Sequence, residues 1–277
     1  MTLLEACRYG ERELKRAGVP EAGLNAWLLL EYVSGCSRSH YLAYQEEELS
    51  EEAKRRFLEV IERRSKRVPL QYITGTQEFM GHSFLVSDQV LIPRQDTEVL
   101  VEEVLKVLKP GMRFLDLCTG SGCILLSLLL GCPGVVGVGS DISLPALKIA
   151  EKNRALLGQE ALLLESDLFE HVEGAFDLIV SNPPYIKSQE ILGLMEEVRM
   201  FEPVSALDGH EDGLYFYGRI ARESCSYLKA GGRLYLEIGW DQGQAVPELL
   251  REQGFQEIEV KKDLAGLDRV VTGVLRN

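Results

Sequence analysis

Apolar positions in the first quarter of the chain recur at helical spacing. One such stretch ends at Gly18-Val19-Pro20, and a second runs from Ala22 to Val33. A third helix is predicted from Ser50 to about Lys66, because two acids follow the serine in the first turn. No strand pattern interrupts these stretches, so residues 1–74 are predicted to form a small all-helical domain.

Residues 75–94 show a different pattern. Two short apolar runs are separated by Gly81 and bounded by Gly75 and Pro93. Glycine and proline at such positions are typical of turns, so the two runs are predicted to pair as a β-hairpin. This hairpin is predicted to join the helical domain to the rest of the chain.

From residue 95 to residue 277, strand-like and helix-like stretches alternate. The predicted strands are 113–117, 135–140, 161–165, 176–180, 233–238, 256–261 and 269–275. The predicted helices are 96–108, 121–130, 144–157, 213–228 and 246–253. This alternation is typical of the α/β class and predicts a seven-stranded, doubly wound, Rossmann-like sheet. Because no helix separates the last two strands, one of them is expected to be antiparallel.

The third helix of the first domain carries many basic side chains. They are Lys54, Arg55, Arg56, Arg63, Arg64, Lys66 and Arg67. Glutamates interleave with them at spacings of three and four, which favours a solvated face held by ion pairs within the helix. The alternative is a docking surface for an anionic partner.

Composition limits the classes of protein that fit this chain. The 277 residues carry a formal net charge of −13, which argues against direct binding of nucleic acid through long-range electrostatics. No apolar run approaches the ~20 residues of a membrane span. Nor does the start resemble a secretory signal, so a cytoplasmic protein is expected. The six cysteines lack C-x-x-C spacing, so they are interpreted as reduced thiols and no metal site is predicted.

Three consecutive predicted strands end in candidate ligand-binding residues. The first ends in Asp116-Leu-Cys-Thr-Gly-Ser-Gly122, a glycine-rich turn that lets a ligand approach the backbone and a helix N-terminus. The second ends at Asp141, which is placed to accept hydrogen bonds from both hydroxyls of a ribose or to cap the next helix. The third ends in Ser166-Asp167-Leu168, where Asp167 is placed to hold an adenine amino group.

The strand at 176–180 is followed by Ser181-Asn182-Pro183-Pro184-Tyr185. The two prolines cannot donate to a ladder, and each restricts the residue before it to extended geometry. Asn182 is therefore predicted to be held rigidly at the edge where open α/β sheets bind ligands. The Asn182 side-chain oxygen and the Pro183 carbonyl can accept both hydrogens of one –NH2 group, and Tyr185 offers a ring face to the substrate. The alternative is a rigid turn without a function.

These motifs resemble the class I S-adenosylmethionine-dependent methyltransferases. More narrowly, they are similar to the release-factor glutamine methyltransferases, and the similarity covers essentially the whole chain. Further stretches that carry it are 91–98, 208–214, 237–243 and 262–269. One departure is Cys118, where the family usually has glycine, so a permissive backbone angle is expected at this cysteine.

The resemblance implies S-adenosyl-L-methionine as the cofactor and peptide-chain release factors as protein substrates. The product would be N5-methylglutamine in a Gly-Gly-Gln motif. The implied cofactor-binding residues are Cys118, Thr119, Gly120, Ser121, Gly122, Asp141, Asp167, Leu168 and Asn182. The implied catalytic residues are Asn182, Pro183 and Tyr185; these three, with Pro184 and Arg94, are the implied substrate-binding residues. By this resemblance residues 1–74 dock the substrate, 75–94 form the linker, and 95–277 form the catalytic domain.

Two rival functions fit parts of the same pattern. A nucleic-acid amino-group methyltransferase of the adenine N6 type would use the same clamp on a base flipped from its stack. The net charge of −13 and the lack of a recognisable nucleic-acid module count against it. A non-catalytic methyltransferase fold retained as a partner subunit is disfavoured by the intact Asn182 and Asp141. For Arg94, a surface salt bridge is the alternative to a substrate contact. The oligomeric state is left open.

Overall fold

The computed structural model describes residues 1–276, which form two compact units. The first, the helical unit, contains Met1–Thr76 together with Met195–Phe201. The second, the sheet unit, contains Gln77–Leu194 and the chain from Glu202 onward. A short segment from late in the sequence therefore belongs to the helical unit, which the sequence pattern did not indicate.

The α-helices are α1 Leu3–Arg16, α2 Ala22–Ser34, α3 Arg38–Ala43, α4 Glu51–Ser65, α5 Leu70–Thr74, α6 Gln95–Leu105, α7 Cys123–Gly131, α8 Leu144–Leu156, α9 Glu196–Phe201, α10 Tyr215–Ser224 and α11 Ala245–Glu252. The strands are β1 Thr76–Phe79, β2 His82–Leu85, β3 Arg113–Leu117, β4 Val136–Asp141, β5 Leu162–Glu165, β6 Phe176–Ser181, β7 Leu228–Glu237, β8 Phe255–Lys262 and β9 Asp268–Leu275. Within residues 1–276, no helix combines the length and apolar character needed to cross a membrane.

The helical unit is held by one apolar core and by well-formed helix starts. The Thr2 hydroxyl accepts from the Glu5 amide while the Glu5 carboxylate accepts from the Thr2 amide, a reciprocal cap for α1. Ser50 caps α4 in the predicted way by accepting from the Ala53 amide. The core packs α1, α2 and α4 around the fully buried Phe57.

Two arginines of α4 and its C-terminal flank depart from the predicted solvated face. Arg64 is buried, and its guanidinium donates to Asn25 Oδ1 at 2.8 Å and to Glu197 Oε1 at 2.9 Å. Arg67 donates to Glu197 Oε2 at 2.5 Å. For these two side chains the prediction was wrong, because α9 brings a buried carboxylate from more than 120 positions away. The predicted pairs within the helix do form at Lys54, Arg55 and Lys66.

The sheet unit contains a seven-stranded sheet in the order β5-β4-β3-β6-β7-β9-β8. Strands β3 to β7 pair in parallel, and β9 pairs antiparallel with both β7 and β8. The predicted fold class is confirmed, including the one antiparallel strand near the end. Strands β1 and β2 form the predicted two-stranded hairpin.

Both faces of the sheet are buried, as the nearly continuous apolar strands require. Leu115 of β3 packs with Tyr217 of α10 in one cluster, whereas its neighbour Phe114 packs with Val101 of α6 in another. Successive side chains of a strand point to opposite faces, so α10 and α6 cover opposite sides. The shared edge at the carboxyl ends of the parallel strands is left for the loops that build the site.

Some element boundaries differ from those predicted. The helix expected from Ser121 begins at Cys123, because Gly120 and Gly122 have φ values of 56° and 80° that a right-handed helix excludes. The strand expected from Arg233 already begins at Leu228 and carries an irregularity in its pairing with β6. The six-residue helix α9 is too short to show a period in the sequence.

Candidate active site

A cavity of about 360 Å³ lies in the sheet unit, at the carboxyl ends of the parallel strands. Each candidate strand end contributes to its lining: the glycine loop after β3, Asp141 of β4, the turn after β5 and Asn182 after β6. The linker contributes as well, through residues from Gln89 to Arg94. The structure therefore brings together candidate residues that are separated by more than 80 positions in the chain.

The glycine loop is shaped by Asp116. This carboxylate is fully buried, and its Oδ2 accepts from the Thr119 hydroxyl at 2.6 Å and from the Leu125 amide at 3.2 Å. Burial raises the pKa of Asp116 to about 7. Cys118 has a φ of 59°, which matches the expected permissive angle, and burial raises the pKa of its thiol so that it stays protonated. Contacts of Asp116 thus hold the loop, although a cysteine stands at a position with positive φ that glycine adopts more easily.

Asp141 holds two loops at once. Its Oδ2 accepts from the Gly120 amide at 2.8 Å, and its Oδ1 accepts from the Ser143 amide at 2.9 Å. Ser143, rather than Asp141, caps α8 by accepting from the Ala146 amide. Each carboxylate oxygen has a second lone pair, so Asp141 keeps the capacity to accept from a ligand.

The turn after β5 places Asp167 and Leu168 along the cavity. Leu168 is buried and has a positive φ of 51°. Asp167 Oδ1 accepts from Arg219 Nη1 at 2.8 Å, a partner on α10 that the sequence did not indicate. The Arg219 contact orients one oxygen of this carboxylate and leaves the other for a further donor.

The Asn182 corner is anchored on both sides. The Ser181 hydroxyl donates to the Leu117 carbonyl at 2.8 Å, and Asn182 Nδ2 donates to Thr97 Oγ1 at 3.3 Å. Asn182 and Pro184 line the cavity, whereas Pro183 and Tyr185 are not among its lining residues within 1–276. The Tyr185 hydroxyl instead donates to Glu237 Oε1 at 3.4 Å. The structure thus places the Tyr185 hydroxyl beside a buried carboxyl group, and the role of its ring toward a substrate stays a prediction.

Arg94 forms an ion pair, and its contact with a substrate stays a prediction. It lines the cavity, and its guanidinium donates to Glu202 Oε1. The Glu202 side chain is only 1% exposed, so this ion pair is not a surface one on the glutamate side. Burial raises the pKa of Glu202, and Arg94 opposes that shift.

Three further residues support the site, and none of them was predicted as a site residue. Gln242 uses its whole amide: Nε2 donates to the Tyr185 and Gly213 carbonyls, and Oε1 accepts from the Gly239 amide and the Tyr217 hydroxyl. Asn153 of α8 ties the hairpin to the glycine loop through Leu85 and Ser121. Glu237 is a buried acid at the end of an apolar strand. Two sequence signals were available: an acid in that position, and the stretch 237–243 that carries the family resemblance.

Comparisons with known proteins agree with this architecture. The family model of the PrmC N-terminal domain matches residues 5–75, and that of the methyltransferase small domain matches residues 94–202. The release factor glutamine methyltransferase of Caulobacter vibrioides is 42% identical over 99% of this chain and 96% of its own length. The enzyme of the same description from Moorella thermoacetica is 44% identical over 97% of both chains.

The chain belongs to the release factor glutamine methyltransferase family. This confirms the resemblance drawn from the sequence motifs and makes the protein an enzyme, a methyltransferase. The 16S rRNA N2 G1207 methyltransferase of Thermus thermophilus, solved in complex with AdoMet and guanosine, has a TM-score of 0.52. It is 19% identical and covers 73% of this chain and 50% of that one, which supports the methyltransferase fold alone.

Proposed function

We propose that this methyltransferase transfers a methyl group from S-adenosylmethionine to the side-chain nitrogen of a glutamine in a peptide-chain release factor. The target is proposed to be the glutamine of a Gly-Gly-Gln motif. The observation that carries the proposal is Asn182, held at the end of β6 on the wall of the same cavity as the glycine loop and Asp141. Relatives above 40% identity over nearly the full length support the substrate class.

The residues around the cavity fit this cofactor. Ser121 Oγ is buried and has no hydrogen-bond partner among residues 1–276, although Ser121 lines the cavity. A side chain added at Gly120 would meet open space within 4 Å, so a ligand can approach the backbone there. When bound, S-adenosylmethionine supplies a methyl group on a positively charged sulfur. An unpartnered donor beside an open backbone suits the polar methionine end of that molecule.

The proposed cofactor contacts follow the strand ends. Cys118, Thr119, Gly120, Ser121 and Gly122 would hold the methionine end, and Asp141 would accept from the ribose hydroxyls. Asp167 and Leu168 would border the adenine. Asp141 already fixes Gly120 and the turn before α8, so one carboxylate would both bind the ligand and shape its loop.

The substrate amide is proposed to be oriented by two acceptors. Asn182 Oδ1 and the Pro183 carbonyl would each accept one hydrogen of the glutamine –NH2, which aims the nitrogen at the methyl group. An amide nitrogen is a weak nucleophile because its lone pair is delocalised. Fixed acceptors on its N–H groups favour the positive charge that develops as the methyl arrives. Tyr185 and Pro184 would support this corner, and Arg94 would border the entrance. The helical unit would dock the protein substrate.

The decisive test is methyl transfer to a purified protein. Tritiated S-adenosylmethionine is incubated with a release factor and, in parallel, with the same factor whose Gly-Gly-Gln glutamine is replaced by alanine. Label on the first and none on the second is expected. Equal label on both would show that a different residue of the release factor is methylated. Label only on DNA or RNA substrates would establish the nucleic-acid alternative.

Asp141→Ala is expected to weaken cofactor binding by at least about tenfold. The variant loses a half-buried carboxylate acceptor and frees the Gly120 amide, and hydrogen bonds to charged groups contribute about 1.5–3 kcal/mol each. Titration calorimetry with S-adenosylmethionine measures the change. Glu165→Ala removes an exposed carboxylate at the end of the adjacent strand, outside the cavity lining, and is the matched control. An unchanged Kd for Asp141→Ala would contradict its assigned role.

A further inference from the structure

Strand β2 is hydrogen-bonded to one other strand among the described residues, since it forms a two-stranded sheet with β1. The free edge of such a strand carries backbone N–H and C=O groups that need other partners, and a two-stranded hairpin alone is only marginally stable. At Leu85, the last residue of β2, a side chain from a distant helix supplies a partner for both groups.

That side chain is Asn153 of α8, which is fully buried. Its Oδ1 accepts from the Leu85 amide at 2.7 Å, and its Nδ2 donates to the Leu85 carbonyl at 3.0 Å. A residue of a neighbouring antiparallel strand would make the same two bonds. Nδ2 also donates to the Ser121 carbonyl at 2.9 Å. Both hydrogens of the amide are thus used, and these backbone partners admit only one orientation of its oxygen and nitrogen ends.

The two segments that Asn153 joins both lead into the cavity. Ser121 belongs to the glycine loop and lines the cavity, and the chain that follows Leu85 contributes lining residues from Gln89 to Arg94. Asn153 and Leu85 themselves are not among the lining residues within 1–276. One buried amide therefore connects two parts of the cavity wall from outside the cavity.

The three hydrogen bonds of Asn153 depend on one another. If the glycine loop moves away, one hydrogen of a fully buried amide loses its acceptor, and if β2 moves away, the amide loses its other two bonds. An unpaired polar group in a buried position is costly, so each segment favours the observed position of the other. A ligand that fixes the glycine loop then also stabilises β2 and the chain after it, and the coupling acts equally in the reverse direction.

We propose that Asn153 is a positioning residue that couples cofactor binding on the glycine loop to the part of the cavity wall formed by residues 89–94. Ligand binding at Ser121 fixes the carbonyl that Asn153 holds, and Asn153 in turn holds Leu85 and the wall that follows it. The inference rests on the proposed function, because it uses the cofactor site assigned there. It adds a route by which the loaded enzyme differs from the empty one at Arg94, the proposed substrate contact in this wall.

The first test measures hydrogen exchange at the Leu85 amide with and without S-adenosylhomocysteine, the form of the cofactor that lacks the transferred methyl group. Leu85 is not among the lining residues within 1–276, so the ligand does not shield this amide directly. Each protein is measured at about 100 times its own Kd, which makes the general stabilisation by the ligand equal. The ligand is expected to slow exchange about tenfold more in the wild type than in Asn153→Asp, because a carboxylate has no hydrogen to donate to Ser121.

Titration calorimetry with S-adenosylhomocysteine measures the reciprocal effect. Asn153→Asp is expected to raise the Kd about tenfold, because the glycine loop loses its buried donor. Asn153→Ser avoids a buried charge and is the second variant, with the same expected loss of coupling. Lys152→Ala changes the adjacent exposed residue of α8 and should leave the Kd within about twofold. Leu250→Ala truncates a fully buried leucine outside the cavity lining and controls for a general loss of stability.

Two results would overturn the coupling. One is an equal effect of the ligand on Leu85 exchange in the wild type and in both Asn153 variants. The other is an equal rise of the Kd in Leu250→Ala, which would show that Asn153 matters only for stability.

Failure of the proposed function gives a different result. Ligand-dependent protection of Leu85 together with no methyl label on the release factor would overturn the proposed substrate and keep the coupling. Label on the release factor without that protection would keep the substrate and overturn the coupling.

Discussion

Asn182→Ala is expected to lower kcat for methyl transfer by about 10² or more while S-adenosylmethionine binds with nearly unchanged affinity. The variant removes one of the two acceptors proposed for the substrate –NH2, and loss of one preorganised partner of this kind typically reduces kcat by about 10²–10³. Orientation is lost as well, because the remaining acceptor leaves the amide free to rotate. Asn182 lies beside the glycine loop but makes no hydrogen bond to it among those in residues 1–276.

Single-turnover methylation of a release factor and titration calorimetry with the cofactor measure the two effects separately. The backbone of the corner should persist in Asn182→Ala, because Ser181 still donates to Leu117 and Gln242 still donates to the Tyr185 carbonyl. Loss of both catalysis and cofactor binding to the same degree would contradict the assigned role. Such a result would instead show that Asn182 builds the cofactor site.

Glu197→Ala is expected to destabilise the helical unit by about 3–5 kcal/mol, since removing one partner of a buried ion pair leaves an uncompensated charge. Here two guanidinium groups lose the carboxylate that they share, and Arg64 is 5% exposed. Although burial favours the neutral carboxyl, Arg67 and Arg64 together lower the pKa of Glu197 below its usual value. The stabilisation is therefore present above the ordinary carboxyl range and is lost as the pH falls through the lowered pKa.

Urea denaturation monitored by tryptophan fluorescence can report the unfolding of the helical unit separately. The chain has two tryptophans, of which Trp27 lies in the core of the helical unit and Trp240 in the sheet unit. In a Trp240→Phe background, the remaining signal reports Trp27. Glu196→Ala is the matched control: its carboxylate is 52% exposed and 3.6 Å from Arg67, so a change within about 0.5 kcal/mol is expected. Equal effects of the two substitutions would contradict the stabilising role assigned to Glu197 and its two arginine partners.

Elements whose cause lies in neighbouring residues were predictable from the amino-acid sequence. Strand-like apolar runs that alternate with helix-like apolar spacing predicted the α/β sheet and the succession of strands and helices along the chain. A strand that is buried on both faces shows such a continuous apolar run. The glycine loop and the Asn-Pro-Pro corner were also predictable, since glycine and proline restrict backbone angles wherever they stand. The permissive backbone angle expected at Cys118 came instead from the family resemblance, and its φ is 59°.

Which side chains contact each other depends on the folded arrangement of the elements. Thr97 stands 85 positions from its partner Asn182, and Glu237 stands 52 positions from its partner Tyr185; no periodicity relates such distant residues. Arg64 and Arg67 share the pattern of a solvated helix face. Both nevertheless pair with Glu197 of the six-residue helix α9, and their side chains are only 7% and 17% exposed. The direction of Tyr185 was likewise set by a buried carboxylate on another strand. Backbone conformation is encoded by neighbours in the chain, whereas the partner and the protonation state of a buried polar group depend on neighbours in space.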